Sequence, residues 1–327
     1  MNDTAALRKE NKKLIFQLMR DGKAYTKQQV ALRTGLSVAT CNTLLNEMEA
    51  DREVIGEKQQ LQSVGRHSSV YKINEHFENY LCFWFEMIDR VKYLNTYVVS
   101  FLGNVIEEFH DQYDLLNVNV IMQKTSEVIE KNKVTQIVVG TPSLIEDGEI
   151  KHCDIPELEN VKLESLLQQK FHLPVFIDND MHYRILGCYK EKGEQQSIFT
   201  LANFPAHVLP GTASIHKGEL IGGASGLAGM VGFLPYDFDR NKQTSLLTPG
   251  NAMPIIIKAL VSVIAIINPD TMILTGDLIQ EIPLDEIERE CLAFIPREHL
   301  PEFYYEKDTT KDYLLGMYEK ALSIRNY

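Results

Sequence analysis

The sequence predicts an α/β protein, with a winged helix-turn-helix at the amino terminus followed by a body of alternating strands and helices. Three observations predict it. Residues 4–50 show apolar positions at helical spacing, interrupted by Gly22 and Gly35. Two short β-prone runs then flank a polar loop around Gly65, and after Asn74 apolar runs of strand length alternate with helical segments. A chain of 327 residues can hold two or three domains with separate cores, and 44% hydrophobic with 24% charged residues is an ordinary globular composition.

In the first helix, residues 4–19, Leu14, Ile15, Leu18 and Met19 recur at helical spacing, and Asp21-Gly22 ends it. Thr26 suits the N-cap of a short second helix through Thr34 that buries Val30 and Ala31. Gly35 can take the positive φ of a tight turn, and Ser37 can cap a third helix, residues 38–50, with Cys41, Leu44, Leu45 and Met48 inward. The other face of that helix holds Ser37, Thr40, Asn42, Thr43 and Asn46, short hydrogen-bonding side chains suited to base edges and phosphates. Residues 54–56 and 70–73 read as two strands of a wing whose loop carries Ser63, Gly65, Arg66 and His67. An Arg there can enter a minor groove or sit on a phosphate; the alternative is a solvated helix face and an ordinary loop charge.

Charge must be counted by region. The formal net charge is −12, yet residues 1–46 carry eight Lys/Arg (Arg8, Lys9, Lys12, Lys13, Arg20, Lys23, Lys27, Arg33) against three acids, a balance of +5, which leaves −17 for the rest. A basic segment on an acidic body can approach phosphates with one face, although a merely solvated basic helix carries the same charge. Helix 1 and the Lys27/Arg33 region are expected to add phosphate contacts.

Five scattered cysteines without a C-x-x-C pair suit a reducing compartment and give no zinc-site spacing. The first residues lack the pattern of a signal peptide, and the longest apolar stretch, residues 252–267, is short for a membrane span and contains Lys258. A cytoplasmic protein without a membrane partner is expected.

In the body, residues 80–85 and 94–102 read as paired strands, 118–132 as a helix, and 137–139 as a strand ending in Gly140-Thr141-Pro142. Residues 161–171 read as a helix, and 174–177 as a strand delivering Asp178-Asn179-Asp180 at its carboxyl end, where α/β ligands sit.

Over almost its whole length the chain resembles the ROK family of repressors, open reading frames and sugar kinases. The resemblance rests on Gly65-Arg66 followed by Val70-Tyr71-Lys72-Ile73-Asn74, on Gly140-Thr141-Pro142-Ser143, and on Leu173-Pro174-Val175 leading to Asn179-Asp180. It continues through Gly218-Glu219-Leu220, Gly223, Gly226, Ala228-Gly229 and Gly232, then Asn268-Pro269-Asp270 before Gly276, and Leu315-Gly316. It implies a two-lobed actin-like (ribonuclease H-like) sugar-kinase fold in residues 78–327, with lobes near 78–190 and 191–305 and a carboxyl-terminal helix returning to the first, behind a DNA-binding domain in residues 1–75.

The departures from that family imply lost kinase chemistry. Where its kinases carry a glycine turn for phosphate, this chain has Glu86-Met87-Ile88-Asp89-Arg90, with two acids and no glycine. The second phosphate loop corresponds to Leu209-Pro210-Gly211-Thr212-Ala213, with one glycine and a proline that removes an amide donor. The family's Gly-Glu-x-Gly-His becomes Gly229-Met230-Val231-Gly232-Phe233, and residues 235–248 contain no Cys, so no zinc is expected. Asp180 stands at the kinases' general-base position as a vestige, and its neighbourhood reads equally as a turn held by side chains or as residual ligand binding.

The expected protein is therefore a non-enzymatic, DNA-binding transcriptional regulator, a repressor, with no cofactor. Its DNA-binding residues are Lys27, Ser37, Thr40, Asn42, Thr43, Asn46, Arg66 and His67, and its partner a double-stranded operator. Ser143, Asn179, Asp180, Met230 and Phe233 are the expected contacts of a sugar-like effector, in a pocket more apolar than a hexose site. One module buries too little surface for strong selectivity, so a homodimer or a dimer of dimers is expected. The alternatives are a sugar kinase with an atypical site and a ligand-independent scaffold.

Overall fold

The computed structural model describes residues 3–60, 67–88 and 90–324. The amino-terminal module runs α1 (Asp3–Met19), β1 (Tyr25–Thr26), α2 (Lys27–Thr34), α3 (Val38–Ala50), β2 (Val54–Gln60) and β3 (His67–Ile73). Its helix boundaries follow local chemistry. Thr26 and Gln29 form a reciprocal capping box at the start of α2, Gly35 closes that helix at φ 75°, and Ser37 caps α3. The strands pair antiparallel in the order β1-β3-β2. Within α1 the structure buries Ile15 and Met19 and packs Leu18 against the same core, as expected, whereas Leu14 is 37% exposed and Phe16 takes its place in the core.

The body begins with β4 (Asn79–Ile88), β5 (Val91–Ser100), β6 (Val105–Tyr113), α4 (Val118–Lys131), β7 (Val134–Thr141), β8 (Leu144–Glu146), β9 (Glu149–Lys151), α5 (Leu163–Phe171), β10 (Val175–Asn179) and α6 (Asp180–Cys188). It continues with β11 (Ile198–Asn203), β12 (Gly211–His216), β13 (Glu219–Leu220), α7 (Arg240–Leu246), α8 (Met253–Ile267), β14 (Thr271–Thr275), α9 (Leu284–Cys291), β15 (Glu302–Tyr305) and α10 (Thr310–Ile324). The helix expected over 161–171 starts two residues later, because Val161 is tied to Ile150 by backbone hydrogen bonding.

Among the described residues the two large sheets repeat one plan. In the first, β4, β5 and β6 form an antiparallel meander, and β7 and β10 add in parallel beyond β4, giving β10-β7-β4-β5-β6. In the second, β11, β12 and β13 form the meander, and β14 and β15 add in parallel, giving β13-β12-β11-β14-β15. This plan directs the carboxyl ends of the parallel strands, and the loops that follow them, to one edge of each sheet, where α/β ligands collect.

α10 leaves the second sheet and packs on α6, β7 and β4 of the first. The amino-terminal module is not hung on a free linker. Phe16 of α1 stacks at 5.7 Å on Phe77 and 5.3 Å from Phe101, and one continuous core holds Ile15, Phe16 and Met19 together with Phe77, Phe101 and Tyr318. Arg20 of α1 pairs with Glu319 of α10 at 2.5 Å and lies over the Tyr318 ring. No helix among the described residues is long and apolar enough to cross a membrane.

Candidate functional site

The amino-terminal site is built on α3. Ser37 accepts from the Thr40 amide at 3.0 Å, and the two hydroxyls share a 2.8 Å hydrogen bond. Both side chains, expected to face bases, are thus engaged in starting the helix, and Thr40 is half-buried. The outer face instead presents Val38, Ala39, Asn42, Thr43 and Asn46, all exposed. Thr43 returns its hydroxyl to the Ala39 carbonyl at 3.2 Å, an i−4 bond within the helix. Lys27, at the first position of α2, joins the two asparagines by donating to Asn42 Oδ1 at 2.5 Å and to Asn46 Oδ1 at 2.9 Å, and its ammonium lies 5.2 Å from the Tyr71 ring centroid.

Arg66 lies outside the described residues. His67 is the first residue of β3, paired in register with Gln60. Cations of α1 have acidic partners within the chain. Arg8 pairs with Glu47, Lys12 with Glu53 at 2.7 Å, and Arg20 with Glu319 in the body, so part of the local positive charge is offset by ion pairs. Arg33 lies over the Tyr25 ring, with its guanidinium carbon 5.3 Å from the centroid.

A second set of candidate residues lies at the carboxyl end of β10, in the first half of the body. Asn179 ends β10 and caps α6: its Oδ1 accepts from the Met181 amide at 3.0 Å, and its Nδ2 donates to the Ser143 carbonyl at 3.1 Å. Asp178 accepts from the Asn179 amide at 2.8 Å and lies 2.7 Å from His182 Nδ1. Ser143 is buried, and its hydroxyl makes no hydrogen bond within the described residues. The carboxamide of Asn179 is therefore engaged in holding the turn through the Met181 amide and the Ser143 backbone carbonyl, and the side-chain turn reading of residues 178–180 fits.

Asp180 is also engaged. Arg184, one turn along α6, donates through Nε to Asp180 Oδ2 at 3.2 Å and through Nη1 to Thr309 Oγ1 at 2.7 Å, and its guanidinium carbon stands 4.5 Å from the Tyr313 ring centroid. Burial is the largest influence on Arg184 and lowers its pKa, but Asp180, Tyr313 and Glu86 outweigh it, and the guanidinium ends above its ordinary value. Arg184 was not singled out from the sequence, although an i,i+4 partner to Asp180 on a helix is a readable signal. Thr309 and Tyr313 are more than a hundred residues distant in sequence, and only the fold brings them in.

In the second half of the body, Met230 and Phe233 line a cavity of about 370 Å³ with Ile221, Leu227, Val263 and Ile266. The hydroxyls in its wall are committed to the protein. Thr212 donates to the Gly229 carbonyl at 3.0 Å, Ser214 shares a 2.8 Å bond with Thr200, and Ser262 donates to the Lys258 carbonyl at 2.7 Å. The Phe233 ring packs under Arg240 at 3.9 Å and lies 6.4 Å from the His152 ring of the opposite half. The structure thus brings Met230 and Phe233 to one cavity and Ser143, Asn179 and Asp180 to one strand end, as two separate groups.

In the segment matching the second phosphate loop, backbone amides are engaged within the protein. The Thr212 amide donates to the Gly229 carbonyl at 2.7 Å, and the Gly232 amide donates to the Pro210 carbonyl at 3.1 Å, so residues 229–232 lie directly on the loop. Gly211 itself starts β12 in register with Asn203. The residues expected to replace a zinc site do not fit zinc: Phe233 is a ring stacked on Arg240, and among the described residues no three His, Cys, Asp or Glu side chains converge for a metal.

Comparison with known proteins matches residues 110–245 to the ROK family. A xylose repressor of Caldicellulosiruptor bescii is 27% identical over 251 residues, covering 73% of this chain and 61% of that protein; the chain spans about three fifths of the curated relatives it matches. A crystal structure of a ROK family transcriptional regulator, a homologue of the E. coli MLC protein, superposes with a TM-score of 0.71 at 15% identity, covering 96% of each chain. A ROK family glucokinase from Streptomyces griseus, solved with glucose and AMPPNP, superposes with a TM-score of 0.55 at 15% identity, covering 74% of this chain and 99% of its own. The two structures share the fold, and the repressor shares the sequence pattern. The chain carries a ROK family domain.

Proposed function

We propose that the protein is a DNA-binding transcriptional repressor, with residues 1–75 as a winged helix-turn-helix reader and residues 78–327 as a two-lobed actin-like body without kinase chemistry. The observation that carries this reading is the outer face of α3, where Asn42, Thr43 and Asn46 stand exposed beside Lys27 on a helix preceded by a tight glycine turn. A solvated face needs no such organisation; a major-groove reader uses it. The regulator's likeness takes in 96% of the chain, while the glucokinase's leaves about a quarter unmatched, which supports a module added to a kinase-like body.

Three features oppose phosphoryl transfer. Asp180 is held by Arg184, the Thr212 amide is spent on Gly229, and the sequence Glu86-Met87-Ile88-Asp89-Arg90 has two acids and no glycine where phosphate needs glycine amides. Phosphoryl transfer depends on positioning and charge neutralisation, and neither is provided. The effector site is the cavity at Met230 and Phe233 in the second half of the body, and its committed hydroxyls and apolar wall support a ligand less polar than a free hexose. Two copies of the chain would place two α3 helices on a two-fold related operator.

Selection of bound duplexes from a random pool at two salt concentrations tests the reading. The expected result is a half-site repeated with two-fold symmetry, with affinity falling about 10³-fold between 50 and 200 mM salt for six or more phosphate contacts. A pool that stays random contradicts it. With magnesium-ATP and a panel of hexoses, ADP release should not exceed the protein-free background; sustained turnover would contradict the loss of kinase chemistry.

A further inference from the structure

We infer that α3 reads thymine methyl groups through Val38 and Ala39, and that Lys27 sets Asn42 and Asn46 as hydrogen-bond donors to base acceptors rather than as bidentate readers of adenine. The inference rests on the DNA-binding reading above and deepens it by naming the base chemistry of the half-site.

Val38 is the first helical residue of α3 and is 51% exposed, although it is apolar and sits beside a buried core. Ala39 follows it on the same exposed face. The hydroxyls on either side, Ser37 and Thr40, are turned to each other and to the helix start, so the leading turn of α3 presents methyl groups outward. In the major groove the apolar feature of a base edge is the thymine C5 methyl, and side chains of this size are its partners. Burying one methyl group between two apolar surfaces is worth about fourfold in affinity.

The asparagines are constrained by a donor-only neighbour. An ammonium group has three N–H donors and no acceptor, so a carboxamide beside it must turn its oxygen inward. Lys27 holds both oxygens, at 2.5 Å and 2.9 Å, and both Nδ2 groups are turned the other way. Asparagine reads adenine by using oxygen and nitrogen together, on N6–H and N7. With the oxygens drawn back to Lys27, the outward NH₂ groups meet acceptors: thymine O4, or guanine O6 and N7. Lys27 is a positioning residue in this scheme, acting on sequence choice through the asparagines.

Two arms test it on the full-length protein. In the first, each thymine of the selected duplex is replaced in turn by deoxyuridine, which removes only the methyl group, and binding is measured by fluorescence anisotropy. One or two replacements should weaken the unaltered protein about fourfold, and that penalty should shrink below about twofold in Val38→Ala. In the second, the random-pool selection is repeated with Lys27→Met, which keeps the aliphatic stem and removes the donors. At least one half-site position should move from thymine or guanine to adenine. Deoxyuridine duplexes that bind as tightly as thymine ones, or a penalty unchanged in Val38→Ala, overturn the methyl contact. A half-site identical with Lys27→Met overturns the role of Lys27. Absence of any selective binding by the unaltered protein overturns the repressor reading itself, whereas selective binding with neither effect overturns this inference alone.

Discussion

Replacing Gly316 by alanine is expected to destabilise the protein by about 3 kcal/mol, a fall in melting temperature on the order of 10 °C. The reason is the crossing of α6 and α10. A Cβ at Gly316 would stand 1.8 Å from the carbonyl oxygen of Tyr183, and a Cβ at Gly187 would stand 1.9 Å from that of Asp312. Each helix offers its glycine to the other's backbone, so the crossing cannot widen on one side alone. Both obstacles are backbone atoms, which cannot swing away as a side chain can. The crossing also brings Tyr313 and Thr309 onto Arg184, so the variant should loosen the clamp on Asp180. A thermal melt followed by circular dichroism measures the effect, and an unchanged transition would show that the helices are not in backbone contact.

Replacing Phe16 by alanine is expected to cost about 3–5 kcal/mol, the usual price of deleting a fully buried aromatic ring. Phe16 is fully buried, and its ring partners, Phe77 and Phe101, both belong to the segments that lead into and through the first sheet. The loss therefore falls on the junction between the amino-terminal module and the body. Calorimetry should show one transition for the unaltered protein and, for Phe16→Ala, an early transition of the module separated from that of the body. A single transition at the original temperature would mean that the shared core carries no stability. The ion pair of Arg20 with Glu319 and the position of Tyr318 join the same junction, so a change in how α10 sits on α6 has a direct mechanical route to α1.

Local chemistry made the amino-terminal elements legible. Thr26 and Ser37 cap the helices they were expected to cap, and Gly35 takes the positive φ the turn requires, because those preferences act over three or four residues. The same short range explains the errors. Ser37 and Thr40 look like base readers in sequence, and the structure spends them on each other, leaving Val38 and Ala39 outside. The alternation of strands and helices gave the α/β body, while the duplicated sheet plan depends on pairings such as β7 with β10 that no local pattern encodes. At the cleft, Asp180 was readable as a position and Arg184 as its possible partner, but the buried ring of Tyr313 arrives from the end of the chain. Ion pairs reaching from α1 to Glu53 and Glu319 likewise reduce a charge balance that counting by region overstates.

The face of α3 decides the account. Anisotropy titrations of a selected duplex at one fixed salt concentration, comparing the unaltered protein with the double variant Asn42→Ala, Asn46→Ala, measure it directly. Each single asparagine hydrogen bond to a base is worth about 0.5–1.5 kcal/mol, so the double variant should bind on the order of thirtyfold more weakly at an unchanged melting temperature. Equal affinity in the two proteins, with both folded, would contradict a DNA-reading role for this helix.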